Sequence, residues 1–230
     1  MNYDNYDDLV KYIKNYEEAF WFYEYVYLKT IEELELIRAD LDKLDTKEHV
    51  LPIIKMFLIQ WGRMGRIVDI KDLNWDQLTK QLRNAKEAFK KLQGKTFLDI
   101  NFDDKEIKDA IMKCYEAARI KYIGPTAISK ILHLFNPENF VMWDKNIREK
   151  YGVKGDAKGY LDFLKRMQIE VKKVLEEKAK EKGCDVEEVI EEICRELLSK
   201  KKLGQKYRKT LAKLIDEYNW WLANHEDSDS

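Results

Sequence analysis

Apolar residues in the middle of this chain recur every three or four positions. Ile107, Ala110, Ile111, Cys114, Tyr115 and Ala118 fall on one stripe, and Ile128, Ile131, Leu132 and Phe135 on another. That period is the α-helical one, with one face of each segment turned to a core. Interruptions are scarce: 9 glycines and 3 prolines in 230 residues. The expected fold class is therefore all-α. A chain of this length makes one large domain or two small ones sharing a core.

Turn and capping residues place the helices. One or two helices run from about residue 6 to 42, with seven aromatics between Tyr16 and Tyr27. Phe20, Tyr23, Tyr27 and Leu34 share one face, and Trp21, Tyr25 and Leu28 another, so this segment is expected in the core with one or two rings lining a pocket. A second helix covers about 50 to 64 and ends at Gly62 or Gly65. Arg63 and Arg66 beside those glycines either face phosphate or belong to a plain helix end, and the plain end is preferred. Asn74 to Gln77 reads as a capping box for a helix running to Gln93, stopped by Gly94. Asp103 to Glu106 reads as another, with Phe102 and Ile107 as its hydrophobic staple. Pro125 suits a first helical position, and Asn136-Pro137 a stop. Further helices are expected near 145–151, over 160–182, from Asp185 to about 200, and from beyond Gly204 to about Trp221.

Several function classes drop out. The apolar run from Ala19 to Leu28 is too short to span a bilayer and contains Glu24. No leader sequence is expected, which points to an intracellular, cytoplasmic protein. Cys114, Cys184 and Cys194 are too few and too scattered for a disulfide framework, a zinc site or an iron–sulfur cluster, so no metal or cofactor is expected. The net charge of −1 disfavours nucleic acid. Against it stand seven positive charges between 200 and 213 (Lys200, Lys201, Lys202, Lys206, Arg208, Lys209, Lys213) with no acid among them. Such a run fits phosphate binding or a solvated helix face. His133, between Leu132 and Leu134, reads as a packed histidine.

The segment with most chemistry is Lys121-Tyr122-Ile123-Gly124-Pro125-Thr126-Ala127, followed by Val141-Met142-Trp143-Asp144-Lys145-Asn146-Ile147-Arg148. It predicts a tight turn between two helices and a carboxylate, Asp144, at the N-cap of a third. Backbone N–H groups of Ile123, Gly124 and Thr126 at such a helix start can bind a phosphate oxygen without reading sequence. Lys121 or Lys130 adds charge. An Asp at an N-cap has a purely structural use as well.

These two segments resemble the helix-hairpin-helix DNA glycosylase superfamily, typified by endonuclease III. The likeness is clearest over about 103–151. It implies a two-lobed helical fold carrying a helix-hairpin-helix motif, with 46–136 as a central lobe and 1–45 plus 137–230 as a second lobe. It assigns the family's essential Asp to Asp144 and the second hairpin glycine to Gly124. Tyr122 takes the place of the first hairpin glycine, and Thr126 that of the Schiff-base lysine found in bifunctional members. The cluster cysteines of endonuclease III are missing, which places the chain in a cluster-free branch.

The activity so implied is DNA repair by hydrolysis of the N-glycosidic bond of a damaged or deaminated base. The enzyme is expected to act on damaged duplex DNA, as a monofunctional hydrolase and a monomer. Arg148, Lys206 and Arg208 join the hairpin as DNA-binding candidates. Trp143, Phe140, Trp61 and Trp21 are candidates for the base pocket, because a flipped base stacks on aromatic side chains. Three alternatives stand beside this reading: a bifunctional glycosylase/AP lyase using Lys130 or Lys121 as a displaced amine, a non-catalytic nucleic-acid-binding protein, and a helical interaction protein.

Overall fold

A computed structural model describes residues 5–38, 50–62, 73–199 and 209–225. The fold is all-α, with no strand among the described residues. The order is α1 (Tyr6–Arg38), α2 (Val50–Met56) continued by a π-helical turn (Phe57–Trp61), α3 (Trp75–Asn84), α4 (Lys86–Leu92), α5 (Lys105–Ala117), α6 (Pro125–Phe135), α7 (Lys145–Tyr151), α8 (Ala157–Lys182), α9 (Val186–Ser199) and α10 (Leu211–His225). None of these helices is long and apolar enough to cross a membrane.

Local chemistry accounts for the boundaries. The Asn74 side chain accepts from the Gln77 N–H, Asp144 from Ile147, Asp156 from Gly159 and Asp185 from Glu188. Gly152 and Gly183 close α7 and α8 in the left-handed conformation, at φ 64° and 68°. The cap of α5 is Asp104, one residue beyond the expected Asp103, and it receives the N–H groups of Glu106 and Ile107. The single helix expected from Asn74 to Gln93 is broken at Ala85 (φ −92°, ψ 4°), which starts α4 with no side-chain cap. The second helix ends at Trp61, and the glycine stop is Gly62, whose N–H bonds the Phe57 carbonyl at 2.8 Å. Arg63, Gly65 and Arg66 lie outside the described residues.

The α1 segment is less buried than its aromatics suggest. It kinks at Phe20 (φ −124°, ψ 19°) and packs on α10, α6 and the π turn. Tyr16, Tyr27, Leu28 and Leu34 are buried, whereas Trp21, Phe22 and Tyr25 remain 61%, 59% and 45% exposed on an uncovered strip. The two mid-chain apolar stripes are the inward faces of α5 and α6, which pack together, while α5 also packs on α4 and α8. His133 is fully buried. Its Nδ1 lies 2.6 Å from the Phe140 carbonyl and its Nε2 2.8 Å from the Tyr27 hydroxyl. A carbonyl only accepts, so Nδ1 carries a proton, and in the neutral form of the ring Nε2 accepts from Tyr27.

The basic run does not act as one surface. Lys209 and Lys213 are buried, at 3% and 0% exposure, in an ion cluster between α1 and α10. Lys209 bonds Glu17, Glu24 and Glu217, and Lys213 lies 3.2 Å from Glu24, 3.2 Å from Asp216 and 2.9 Å from Glu217. Charge period on a helix does not reveal that the carboxylates of another helix will enclose it. Lys206 and Arg208 lie outside the described residues.

Candidate active site

The turn between α5 and α6 is built around a residue in an unusual conformation. Tyr122, in the place the resemblance gives to the first hairpin glycine, has φ 71°, the region glycine favours. Its side chain is 53% exposed, and the Lys121 ammonium lies 4.7 Å from its ring centroid. Ile123 is buried and anchors the turn, and its N–H is spent on the Ile120 carbonyl at 3.0 Å. Gly124 is exposed with an extended backbone (φ −86°, ψ 174°), and Pro125 opens α6.

Asp144 is fixed against this turn through its neighbours. The Trp143 indole N–H donates to the Pro125 carbonyl at 3.1 Å, and the Trp143 backbone N–H donates to Ser129 Oγ at 3.2 Å. The start of α6 is thereby tied to the cap of α7. Asp144 Oδ1 accepts the Ile147 N–H at 2.9 Å, and Oδ2 has no hydrogen-bond partner among the described residues. Arg148, one turn along, donates from Nη1 to Thr126 Oγ1 at 3.2 Å, with its guanidinium 5.4 Å from the Trp143 ring centroid. Burial lowers the Arg148 pKa, opposed by Tyr115 and Asp144.

These parts border a cavity of about 480 Å³. Its walls include Trp61, Trp143, Tyr16, Phe20, Tyr23 and Trp220, with Gly124, Thr126 and Asp144 on the side of the turn. Phe20 and Tyr16 hold Trp220 edge-on, with ring centroids 4.7 and 5.5 Å away. Trp61 stacks on Phe57 at 4.7 Å and 9°.

Besides the exposed Lys145, Lys130 and Asp216 join Asp144 in the lining. Lys130 Nζ, on α6, donates to the Gly62 carbonyl at 3.2 Å and lies 4.9 Å from the Trp61 ring centroid. Burial pulls its pKa down to about 8, partly opposed by Asp216 and Asp144 and reinforced by Lys213. Asp216, on α10, is 5% exposed, and burial raises it to about 6 against the pull of Lys213.

The structure therefore brings Asp144, Lys130, Thr126, Gly124, Trp61 and Trp143 to one cavity, with Arg148 bonded to its Thr126 edge. Four candidates lie elsewhere. Ile123 is buried outside the lining, and its N–H, expected to meet phosphate, is taken by the Ile120 carbonyl. Phe140 is fully buried against Phe89 and Tyr160 and is absent from the lining. Trp21 points away into solvent, and Lys121 is exposed on the turn outside the lining. Asp216 and Trp220 are site residues that sequence reasoning missed. Their only sequence signal is an acid set among Leu214, Ile215 and Tyr218, which periodicity alone reads as a tolerated polar residue on a core helix.

Chemically, the cavity offers aromatic faces for a planar group, a carboxylate oxygen free to face a developing positive charge, and an amine that is partly unprotonated just above neutrality. No protein-family model, curated protein or solved structure matches this chain.

Proposed function

We propose that this protein is a DNA N-glycosylase that hydrolyses the N-glycosidic bond of a damaged or deaminated base. The observation that carries the reading is that Asp144 and Lys130, from different helices, open on one aromatic cavity beside the Gly124 turn. In this reading α5, the turn and α6 stand for the helix-hairpin-helix, and the N-terminal N–H groups of α6 hold a backbone phosphate. The two-lobed division expected from the resemblance belongs to the same proposal. A base turned out of the stack lies between the aromatic walls. Asp144 Oδ2 faces the sugar, where it stabilises the oxocarbenium-like transition state and orients the attacking water.

The lowered pKa of Lys130 favours a second reading within the same class. Its neutral amine adds to the sugar C1′ as the base leaves, and the resulting imine breaks the strand by elimination.

Single-turnover cleavage of duplexes carrying uracil, hypoxanthine, 8-oxoguanine or an alkylated purine, with and without alkali, tests both. Alkali-dependent cleavage lost in Asp144→Asn supports the water mechanism. Alkali-independent cleavage with a borohydride-trapped adduct, absent in Lys130→Met, supports the amine. DNA binding without cleavage on any duplex leaves a non-catalytic binding protein, and no binding at low salt leaves a helical interaction protein.

A further inference from the structure

The face of α10 that closes the cavity carries a buried carboxylate with one oxygen to spare. Asp216 and Trp220, four residues apart, share that face and both line the cavity. Asp216 Oδ2 is held by the fully buried Lys213 ammonium at 3.2 Å. Oδ1 has no hydrogen-bond partner among the described residues and is open to the cavity, not sealed behind it. The same ammonium lies 4.7 Å from the Tyr16 ring centroid and 5.0 Å from that of Trp61. Asp216 is thereby pinned at the aromatic end, where Trp220 stands edge-on to Tyr16. Asp144 is placed otherwise. It caps α7 beside the turn, is half-buried, and spends Oδ1 on the Ile147 N–H.

We infer that Asp216 is the specificity-determining residue of the cavity, its carboxylate accepting the paired N–H donors on the edge of a guanine-type base. The inference rests on reading the cavity as a base pocket. It narrows the substrate class to damaged guanines that keep the ring N1–H and the 2-amino group, in preference to uracil or hypoxanthine.

Aromatic walls satisfy the faces of a planar base but not its edge, and a buried acceptor needs a donor. With Asp144 directed at the sugar, the base extends towards the aromatic end and its edge meets Asp216. The carboxyl titrates near 6, so in slightly alkaline solution it is ionised and both oxygens accept. Each oxygen takes more than one hydrogen bond, so the Lys213 contact leaves Oδ2 room for a second. Guanine sets two donors side by side, matching a carboxylate as a fork does. Uracil places its N–H between two carbonyl oxygens, and hypoxanthine has a C–H where guanine has its amino group. Adenine turns a bare ring nitrogen towards the carboxylate. Damaged guanine also leaves the stack at lower cost than the intact base, which favours lesions.

Ligand-observed NMR titrations in slightly alkaline buffer compare deoxyguanosine with deoxyinosine, which differ only in the 2-amino group. Wild type is expected to bind deoxyguanosine more tightly by about tenfold, as for one hydrogen bond to a charged group. Asp216→Asn is expected to abolish the preference, and Asp144→Asn to keep it. Equal affinities in wild type, no binding of either nucleoside, or a preference that survives Asp216→Asn would overturn the inference. So would loss of the preference in Asp144→Asn alone. Should Asp216→Asn fail to fold, the wild-type carbon-13 carboxyl resonance of Asp216 decides instead. At matched saturation it must shift more with deoxyguanosine than with deoxyinosine, and equal shifts sink the idea. A preference without cleavage of any lesion keeps the edge contact and removes the glycosylase reading. Cleavage without the preference does the reverse.

Discussion

The indole N–H of Trp61 donates to Glu24 Oε1 at 3.3 Å, so one wall of the cavity is fastened to the ion cluster between α1 and α10. Glu24 also contacts both Lys209 and Lys213. Burial raises its carboxyl pKa, with Lys213 opposing and Glu217 reinforcing the shift. Glu24→Ala leaves two buried ammonium groups short of a partner and is expected to cost about 3–5 kcal/mol in urea unfolding. Glu24→Gln, which imitates the protonated form, is expected to cost less than half of that. Equal costs would show that its charge, not its shape and hydrogen bonds, is what the cluster requires.

Asp216 gives stability a particular pH dependence. Its folded carboxyl titrates near 6, above the ordinary 3.8. A raised acid stabilises the folded state fully below its unfolded pKa, and that contribution is lost as pH rises through the folded value. From about pH 4 to 7 the contribution therefore falls by roughly 3 kcal/mol, at about 1.4 kcal/mol per pKa unit. Asp216→Asn should remove this component. Denaturation of both proteins at pH 4, 5, 6 and 7 checks it, and a wild-type-minus-variant difference independent of pH would refute it.

At Asp144, folding and chemistry separate cleanly. Asn caps a helix about as well as Asp, so Asp144→Asn is expected to lie within about 0.5 kcal/mol of wild type, while Asp144→Ala loses about 1 kcal/mol. If the proposed function is right, cleavage disappears in both. A variant that keeps wild-type cleavage as the amide would remove Asp144 from the chemistry.

Tyr122 carries a backbone cost in the turn. A non-glycine residue at φ 71° costs about 1–2 kcal/mol, part of which glycine returns as unfolded-chain entropy. Tyr122→Gly is thus expected to raise stability by up to about 1 kcal/mol, seen as a higher thermal midpoint. Its ring lines the cavity, so a fall in DNA affinity alongside the gain would mark the tyrosine as a contact. A lower thermal midpoint would show that the ring packs more favourably than the strain costs.

Gly159 is constrained by space. A Cβ there would stand 2.1 Å from the Lys154 carbonyl oxygen, which is backbone that cannot swing aside. Gly159→Ala is expected to cost about 3 kcal/mol or more by opening the first turn of α8, as measured by urea midpoint. Gly124→Ala, with nothing within 4 Å of the added atom and an extended backbone, is expected to be nearly neutral for stability.

How far the molecule can be read from its residues differs between folding and site. Asp144, Asp185 and Gly152 mark helix ends because their effects are local, and they are legible. The Ala85 break is not, since alanine is the best helix former and nothing nearby predicts an interruption. Asp144, Lys130 and Trp143 are legible as candidates because they belong to or flank a recognisable segment, and Trp61 only as an aromatic able to stack on a base. Asp216 and Trp220 reach the cavity only because α10 returns to pack on α1 and α7, a relationship between residues about 200 positions apart in the case of α1. The basic run misleads for the same reason, because Lys209 and Lys213 meet carboxylates from Glu17 and Glu24, far away in the chain.

The π turn at Phe57–Trp61 makes chain length itself a determinant of the cavity. Such a turn accommodates one residue more than the α-helix around it needs. Were this turn to wind as regular α-helix while keeping that residue, the residues beyond it would rotate by about 100°. Trp61 would then swing off Phe57 and away from Lys130 with no side chain replaced. Deleting one residue here would instead let the helix wind regularly with the residues beyond it facing nearly as they do now, so the wall against which a ligand is held depends on residue count and hydrogen-bond register together.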